Sequence, residues 1–149
     1  KNKIKFDGFA ATATAGIPWA AWLPQKLKKP MIYVRSETKE HGRENLIEGK
    51  IEEGKTYIVV EDLVSTGSSS LNTINAVKDK GGIVEYCISI FTYELEKATN
   101  NFESANVKLL TLTNFTSFVK TALKKKYISK VQLTHIMDWK KHPEGWVAV

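Results

Sequence analysis

The sequence predicts an α/β fold, in which a mostly parallel sheet is flanked by helices within a single domain of 149 residues. The first observation is that short apolar runs alternate along the chain with segments of helical spacing. The second is that these runs are continuously apolar and rich in β-branched residues, as expected of strands buried on both faces of a parallel sheet. The third is a loop of small residues, 65–69, between one such run and the helix that follows it.

The first half of the chain is predicted to contain four strands and one helix. The strands are placed at residues 4–9, 31–34, 46–51 and 57–60. A loop of small residues, 10–15, follows the first strand. Apolar residues at helical spacing predict a helix over residues 16–28, with Pro18 near its start. Pro24 within this pattern predicts a kink or an early end of the helix.

The second half of the chain is predicted to continue the alternation and to end in two helices. A helix over residues 70–80 turns Leu71, Ile74 and Val77 inward, and Gly81 ends it. Strands are predicted at 83–91 and 107–111, and helices at 114–125 and 129–140. Alternation at this spacing argues for one parallel sheet in one domain.

Composition excludes several classes of function. Basic residues exceed acidic ones by 22 to 16, a net charge of +6, but the lysines are scattered and only residues 124–126 form a cluster. We expect that cluster to be a solvated helix end, where cations complement the helix dipole. We do not expect nucleic acid to bind, because the arginine enrichment and interleaved aromatic residues of such surfaces are missing. No apolar stretch approaches the roughly 18 residues that span a bilayer, so no membrane partner is expected.

Cys87 is the only cysteine, which excludes a disulfide framework and a four-cysteine metal site. It lies in an apolar run and is predicted to be a buried strand residue. A reducing cytoplasm is the compartment that this cysteine usage predicts.

Residues 58–69, Ile-Val-Val-Glu-Asp-Leu-Val-Ser-Thr-Gly-Ser-Ser, form the most informative segment. A predicted strand ends in Glu61 and Asp62, and ligands of open α/β sheets bind beyond the carboxyl ends of strands. Paired carboxylates there accept hydrogen bonds from two neighbouring sugar hydroxyls, or lie close to a Mg²⁺ ion held by the ligand. The loop that follows offers N–H groups and hydroxyls at a helix N-terminus, where phosphate commonly binds. The segment therefore predicts a phosphosugar site.

The loop taken alone has a simpler explanation. Ser-Thr-Gly-Ser is also typical of an ordinary strand-to-helix turn in which Ser69 or Ser70 is the N-cap. The acidic pair directly before the loop, and the buried strand before that pair, are what favour the phosphosugar interpretation.

Three segments resemble motifs of one enzyme family. Residues 59–69 are similar to the 5-phosphoribosyl-1-pyrophosphate (PRPP) motif of type I phosphoribosyltransferases, and residues 9–18 resemble their pyrophosphate-binding loop. Residues 33–42, Tyr-Val-Arg-Ser-Glu-Thr-Lys-Glu-His-Gly, with 45–49, Asn-Leu-Ile-Glu-Gly, resemble the mobile catalytic loop of orotate phosphoribosyltransferases. This last segment is the specific one, because many transferases share the PRPP motif. The resemblance runs from about residue 4 to residue 146 and implies a type I phosphoribosyltransferase-like (Rossmann-like) fold.

The resemblance implies transfer of the 5-phosphoribosyl group from PRPP to orotate, with release of pyrophosphate. It also implies Mg²⁺ as the cofactor, held mainly by PRPP near the two carboxylates, and a homodimer in which the catalytic loop reaches into the neighbouring subunit's site. The residues that match the PRPP motif are Glu61, Asp62, Val64, Ser65, Thr66, Gly67, Ser68 and Ser69. Those that match the pyrophosphate loop are Thr12, Ala13, Thr14, Ala15 and Gly16.

In the catalytic-loop segment the resemblance assigns Arg35, Lys39 and His41 to PRPP binding. It assigns catalytic roles to Lys39 and His41, together with Asp62. Cations that close over the departing pyrophosphate lower the barrier to its loss, and His41 can exchange a proton near neutral pH. Gly42 allows the loop to bend. The alternative is an exposed loop with a solvated charge run, but the only two arginines of the chain, Arg35 and Arg43, both fall within residues 33–45.

Two positions depart from the family pattern. Ser36 stands where many orotate phosphoribosyltransferases have a second basic residue, and Tyr93 lies near the place of an arginine that contacts the base. Base binding is assigned to Ser65 and Tyr93. A purine base stays open as the acceptor, and so does a non-catalytic PRPP-sensing regulator that binds nucleic acid. Relatives carry an additional N-terminal segment over the base, so we expect this chain, which begins at Lys1, to be an N-terminally truncated fragment of a longer enzyme.

Overall fold

A computed structural model describes residues 4–36, 46–141 and 143. Within these residues, six strands form one sheet in the order β3-β2-β1-β4-β5-β6. The strands are β1 Gly8–Thr12, β2 Met31–Val34, β3 Ile47–Glu48, β4 Thr56–Val64, β5 Ile83–Thr92 and β6 Lys108–Asn114. All neighbouring strands are parallel except β2 and β3, which are antiparallel. The carboxyl ends of the five parallel strands therefore meet at one edge of the sheet.

Helices cover both faces of the sheet. They are α1 Gly16–Leu27, α2 Ser68–Asp79, α3 Glu96–Ser104, α4 Phe115–Lys124 and α5 Lys130–Lys141. One core cluster joins Val59 of β4 to buried residues of α2 and α3, and a second joins Val60 to Ala20 of α1. Because successive side chains of a strand point to opposite faces, α1 and α2 lie on opposite sides of the sheet. None of the helices formed by the described residues is both long and apolar enough to cross a membrane.

The predicted fold class, a mostly parallel α/β sheet flanked by helices, is confirmed. The strand predicted at residues 31–34 has those bounds, and the helix predicted over 16–28 differs by one residue at its end. Pro24 neither ends nor interrupts α1, which continues to Leu27. The helix ends just after, where Lys28 is left-handed and its N–H donates to the Pro24 carbonyl oxygen at 2.7 Å.

The predicted loop of small residues at 10–15 is wrong in its first half. Strand β1 runs to Thr12, and Ala10 and Ala11 are fully buried in its centre, opposite Val59 and Val60 of β4. Ala10 belongs to the core cluster on the α2 face of the sheet, and Ala11 to the cluster on the α1 face. The loop proper is residues 13–15.

Strand β4 is longer than predicted and includes the acidic pair. Its pairing with β5 continues from Glu61 opposite Ser89 to Val64 opposite Thr92. The two carboxylates therefore belong to the strand itself, and the loop after it is only residues 65–67. Strand β3 is shorter than predicted, with two residues. Helix α3 was not predicted, because only Ala98 and Phe102 of its nine residues are buried.

Candidate active site

The loops that follow β1, β2 and β4 come together at the carboxyl edge of the sheet, around the start of α2. A small cleft of about 50 Å³ lies between them, lined by Thr12, Ala13, Val34, Arg35, Ser36, Ser69, Asn72 and Thr73. These residues come from all three segments that the sequence singled out. The structure therefore brings the predicted pyrophosphate loop, the start of the catalytic-loop segment and the PRPP motif into one place.

The two carboxylates of the acidic pair have different surroundings. Glu61 is 5% exposed, and its Oε2 accepts a hydrogen bond of 3.1 Å from the Ser70 hydroxyl, which is itself fully buried. The backbone N–H of Asp62 donates to the other oxygen of Glu61 at 3.2 Å. Asp62 lies on the opposite face of the strand and is half-buried. Of the pair, Asp62 is the more accessible to a ligand.

Burial raises the pKa of Glu61 to about 7, because it disfavours the charged form, and the neighbouring Asp62 adds to the rise. The hydrogen bond from Ser70 opposes it. Burial also raises the pKa of the Cys87 thiol, which lies fully buried in β5 as predicted. Near neutral pH, Glu61 is thus divided between its acid and carboxylate forms.

The loop between β4 and α2 is held by hydrogen bonds and by close packing. Gly67 is the N-cap of α2 and has a left-handed φ of 81°, which favours glycine. A Cβ atom at this position would lie 2.9 Å from the Phe102 ring. The side-chain amide of Asn101 donates to the Thr66 carbonyl oxygen at 2.9 Å, and the hydroxyls of Thr66 and Ser68 are 3.0 Å apart.

Helix α3 thus supports the loop with Asn101 and Phe102, and sequence reasoning missed both residues. The one sequence signal was an isolated phenylalanine in a polar segment, four residues after Ala98. That spacing places two apolar side chains on the same helical face. It is too short a pattern to have distinguished a helix from a loop.

The loop between β1 and α1 is held by contacts with β2, α2 and β4. The Ala13 N–H donates to the Val34 carbonyl oxygen at 2.9 Å, and the hydroxyl of Thr73 in α2 donates to that of Thr12 at 3.0 Å. The bond between Ala13 and Thr14 is cis. Thr14 and Ala15 are exposed. At Gly16 a Cβ atom would lie 2.5 Å from the Val60 carbonyl oxygen, so only glycine lets α1 start this close to β4.

Arg35 follows β2 directly and lines the cleft. Its guanidinium forms an ion pair with Glu48 of β3, and its backbone N–H donates to the Leu46 carbonyl oxygen at 2.9 Å. The other two residues assigned to the catalytic loop, Lys39 and His41, lie outside the described residues, as does Gly42.

Ser65 and Tyr93, the two predicted base-binding residues, line the same large pocket of about 1170 Å³ on the other side of the loop. The N–H of Tyr93 donates to the Val64 carbonyl oxygen at 3.0 Å, which ties the end of β5 to the end of β4. The Val64 side chain is buried in the core, so any contact of Val64 with a ligand falls to its backbone.

The described residues contain no group of three or more histidine, cysteine, aspartate or glutamate side chains placed to hold a metal ion. Glu61 and Asp62 alone are too few for a Mg²⁺ site made of protein, since Mg²⁺ takes six oxygen ligands. The donor set fits an ion whose remaining ligands come from a bound phosphate compound and water.

No family model matches this chain. It is 44% identical over 146 residues to the orotate phosphoribosyltransferase of Coxiella burnetii, a match that covers 98% of this chain and 70% of that protein. The chain belongs to the orotate phosphoribosyltransferase family. The curated orotate phosphoribosyltransferases that it matches are covered over 65–70% of their length.

Solved structures of orotate phosphoribosyltransferases share the fold. The enzyme from Aeropyrum pernix superposes with a TM-score of 0.70 at 31% identity, over 83% of this chain and 66% of that one. The Mycobacterium tuberculosis enzyme in complex with PRPP superposes with a TM-score of 0.63 at 23% identity, over 75% and 64%. At 23% identity, the likeness to the Mycobacterium tuberculosis enzyme concerns the fold alone.

The raised pKa of Glu61 makes stability depend on pH. The folded chain keeps the Glu61 proton up to about pH 7, whereas the unfolded chain releases it near 4.5, so the folded state binds more protons between these values. This contribution to the free energy of unfolding is therefore present below pH 4.5 and is lost as pH rises to 7, by at most about 1.4 kcal/mol per pH unit.

Urea unfolding at several pH values within this window measures the effect. The Glu61→Gln variant is expected to lose this part of the pH dependence, while Glu85→Gln, at an exposed position of β5, keeps it. Equal pH dependence in Glu61→Gln and the unchanged protein would contradict the assignment.

Two glycines with left-handed φ, Gly54 and Gly67, allow the cost of backbone strain to be measured apart from the cost of contact with Phe102. A Cβ atom at Gly54, which has a φ of 73°, would have no neighbour within 4 Å, whereas one at Gly67 would meet the Phe102 ring. We expect Gly54→Ala to cost about 1 kcal/mol of stability, and Gly67→Ala to cost about 1–3 kcal/mol more for overpacking. Thermal unfolding of both variants measures the difference. Equal costs would show that the Phe102 ring moves away from the added methyl group without loss of stability.

Proposed function

We propose that this chain transfers the 5-phosphoribosyl group of PRPP to orotate, giving orotidine 5′-monophosphate and pyrophosphate in pyrimidine biosynthesis. The observation that carries the proposal is the identity of 44% to an orotate phosphoribosyltransferase over 98% of the chain. The geometry of the carboxyl edge supports the donor half of the reaction, because it combines carboxylates, a tight loop of amides and a helix N-terminus.

The sugar phosphate is assigned to the end of β4 and the start of α2. Asp62, half-buried, is the carboxylate best placed to accept hydrogen bonds from the ribose hydroxyls, with the buried Glu61 behind it. The amides and hydroxyls of residues 66–69 are assigned to the 5-phosphate, at the positive end of the α2 dipole. A phosphate there replaces water at N–H groups that the helix itself leaves unpaired.

Mg²⁺ fits this site as an ion held mainly by PRPP oxygens and water, beside Glu61 and Asp62. When bound, it would neutralise charge on the pyrophosphate. Asp62, the accessible carboxylate, would orient its water ligands and hold the ribose, while Glu61 stays hydrogen-bonded to Ser70 behind it.

The pyrophosphate is assigned to the exposed loop at Thr14 and Ala15 and to the guanidinium of Arg35, which follows β2. Arg35 already has a carboxylate partner in Glu48, so the pyrophosphate competes with that ion pair for the guanidinium. Lys39 and His41 are assigned to the departing oxygens. Charge that develops there during the reaction is stabilised by cations only as the bond breaks, which raises turnover rather than binding.

The base is assigned to the pocket shared by Ser65 and Tyr93. We also propose that the protein acts as a homodimer in the cytoplasm, with the catalytic loop serving the neighbouring subunit. The identity to orotate phosphoribosyltransferases favours orotate over a purine base, and it favours catalysis over the PRPP-sensing alternative.

The test is PRPP-dependent loss of orotate absorbance in the presence of Mg²⁺, with adenine, hypoxanthine and xanthine assayed in parallel. We expect transfer to orotate alone, together with release of one pyrophosphate. Transfer to a purine instead would overturn the choice of base. PRPP binding without pyrophosphate release, combined with salt-dependent binding of RNA or DNA, would overturn the enzyme in favour of the regulator.

Lys39→Ala is expected to lower kcat by about a hundredfold or more while changing the Kd for PRPP much less, because the ammonium acts on charge that develops in the transition state. Lys50→Ala, at an exposed position beyond β3, serves as the matched loss of one positive charge. Steady-state kinetics and direct PRPP titration of both variants give the comparison. An unchanged kcat in Lys39→Ala would remove this residue from the mechanism.

A further inference from the structure

The large pocket beside Ser65 is also lined by residues of α5, which the proposed function does not use. Trp139 and Lys140 of α5 line it together with Tyr93 and Glu94. Helix α5 comes from the C-terminal end of the described chain, far along the sequence from the loop after β4. The pocket thus depends on how α5 packs against the rest of the molecule.

Helix α5 is held by half-buried rather than buried side chains, such as Leu133 and Ile136. None of its twelve residues is buried. Its main ring contacts are those of Trp139, whose ring centroid lies 5.5 Å from that of Tyr93 and 5.3 Å from that of Phe115. A helix with so little buried surface requires specific polar contacts to stay in one position.

Glu94 supplies such contacts. One of its carboxylate oxygens accepts hydrogen bonds from the Lys140 ammonium at 2.9 Å, from the Thr116 N–H at 2.9 Å and from the Thr116 hydroxyl. Lys140 also donates to the Thr116 hydroxyl at 3.1 Å. A single carboxylate therefore joins three elements: the end of β5, the start of α4 and the end of α5.

The conformation of Glu94 is itself unusual. Its φ is 56°, in the left-handed region that favours glycine. Its N–H donates to the Thr92 hydroxyl at 3.0 Å. A left-handed non-glycine residue is retained where surrounding contacts over-determine it, and here the three donors to its side chain are those contacts.

Charge reinforces the arrangement. Burial would raise the pKa of Glu94, but the hydrogen bonds from Thr116 and Lys140 outweigh burial and lower it. Glu94 and Lys140 are 31% and 19% exposed at their side chains, so the pair is partly shielded from water. By contrast, Lys141 pairs with Asp138 on an exposed surface, where an ion pair contributes little.

We propose that Glu94 and Lys140 form a clasp that positions Tyr93 and Trp139 as one wall of the base pocket, so that α5 sets the affinity for the acceptor base. This inference rests on the proposed function and deepens it. Glu94 and Lys140 are positioning residues: they act through the two aromatic rings, which line the pocket together with Ser65. Their own side-chain hydrogen bonds join them to each other and to Thr116.

The test is Lys140→Met in the full-length protein, which keeps the length of the side chain and removes its charge and donors. We expect the KM for orotate to rise about tenfold, because displaced Tyr93 and Trp139 rings no longer fit the base, while the KM for PRPP changes by less than about twofold. Lys140→Arg, which retains the charge, is expected to restore most of the affinity for orotate. The near-ultraviolet circular dichroism of the paired Tyr93 and Trp139 rings is expected to weaken in Lys140→Met only.

Lys130→Met is the matched control, because it removes the same group from an exposed position at the other end of α5. All variants are assayed well below their melting temperatures. Equal rises in KM for orotate and PRPP, or an unchanged KM for orotate in Lys140→Met, would overturn the clasp while leaving the proposed function standing. If the unchanged protein does not consume orotate, the proposed function and the clasp are both overturned.

Discussion

The hydrogen bond from the buried Ser70 hydroxyl to Glu61 is the contact on which the geometry of the carboxyl edge depends. It joins the first turn of α2 to the last residues of β4, across a connection of only three residues. With both ends fixed, the loop has little choice of conformation. Gly67 supplies the one left-handed residue that the connection requires, and Asn101 supports it from α3.

This arrangement carries an electrostatic cost. Glu61 is only 5% exposed beneath the loop, so its carboxyl group is harder to ionise, and burial raises its pKa to about 7. The same burial restricts the Glu61 side chain and leaves Asp62 as the outer member of the pair. Two neighbouring carboxylates thus have different surroundings because a strand places them on opposite faces.

Much of the fold followed from local sequence because its signals are local. A continuously apolar strand, a small-residue loop and a helical pattern occupy one short segment of chain, so the order of β4, loop and α2 was predictable. The length of β4 was not, because its extension through Glu61 depends on pairing with β5 at Ser89, a residue distant in sequence. Likewise α3 is stabilised by Phe102 packing on Gly67, which a polar sequence does not reveal.

The candidate site likewise contains residues that the sequence predicts and contacts that it does not. Residues of short contiguous motifs, such as Thr12 and Ser69, were singled out from the sequence and line one cleft in the structure. The Glu48 partner of Arg35 was not found, and neither was the joining of Glu94 to Lys140, 46 residues apart, because long-range polar pairs leave no periodic signal. The roles of Lys39 and His41 remain predictions.

The strand order gives the site its position without help from any side chain. From β1 the chain crosses by α1 on one face to β2, and from β4 it crosses by α2 on the other face to β5, while β1 and β4 are neighbours. Two connections that leave adjacent strands in opposite directions open a crevice between them. The crevice is thus a property of chain topology, whereas its chemistry resides in the end of β4 and in a few loop residues. Changes of ligand preference can therefore accumulate in those loops while the sheet and its stability stay as they are.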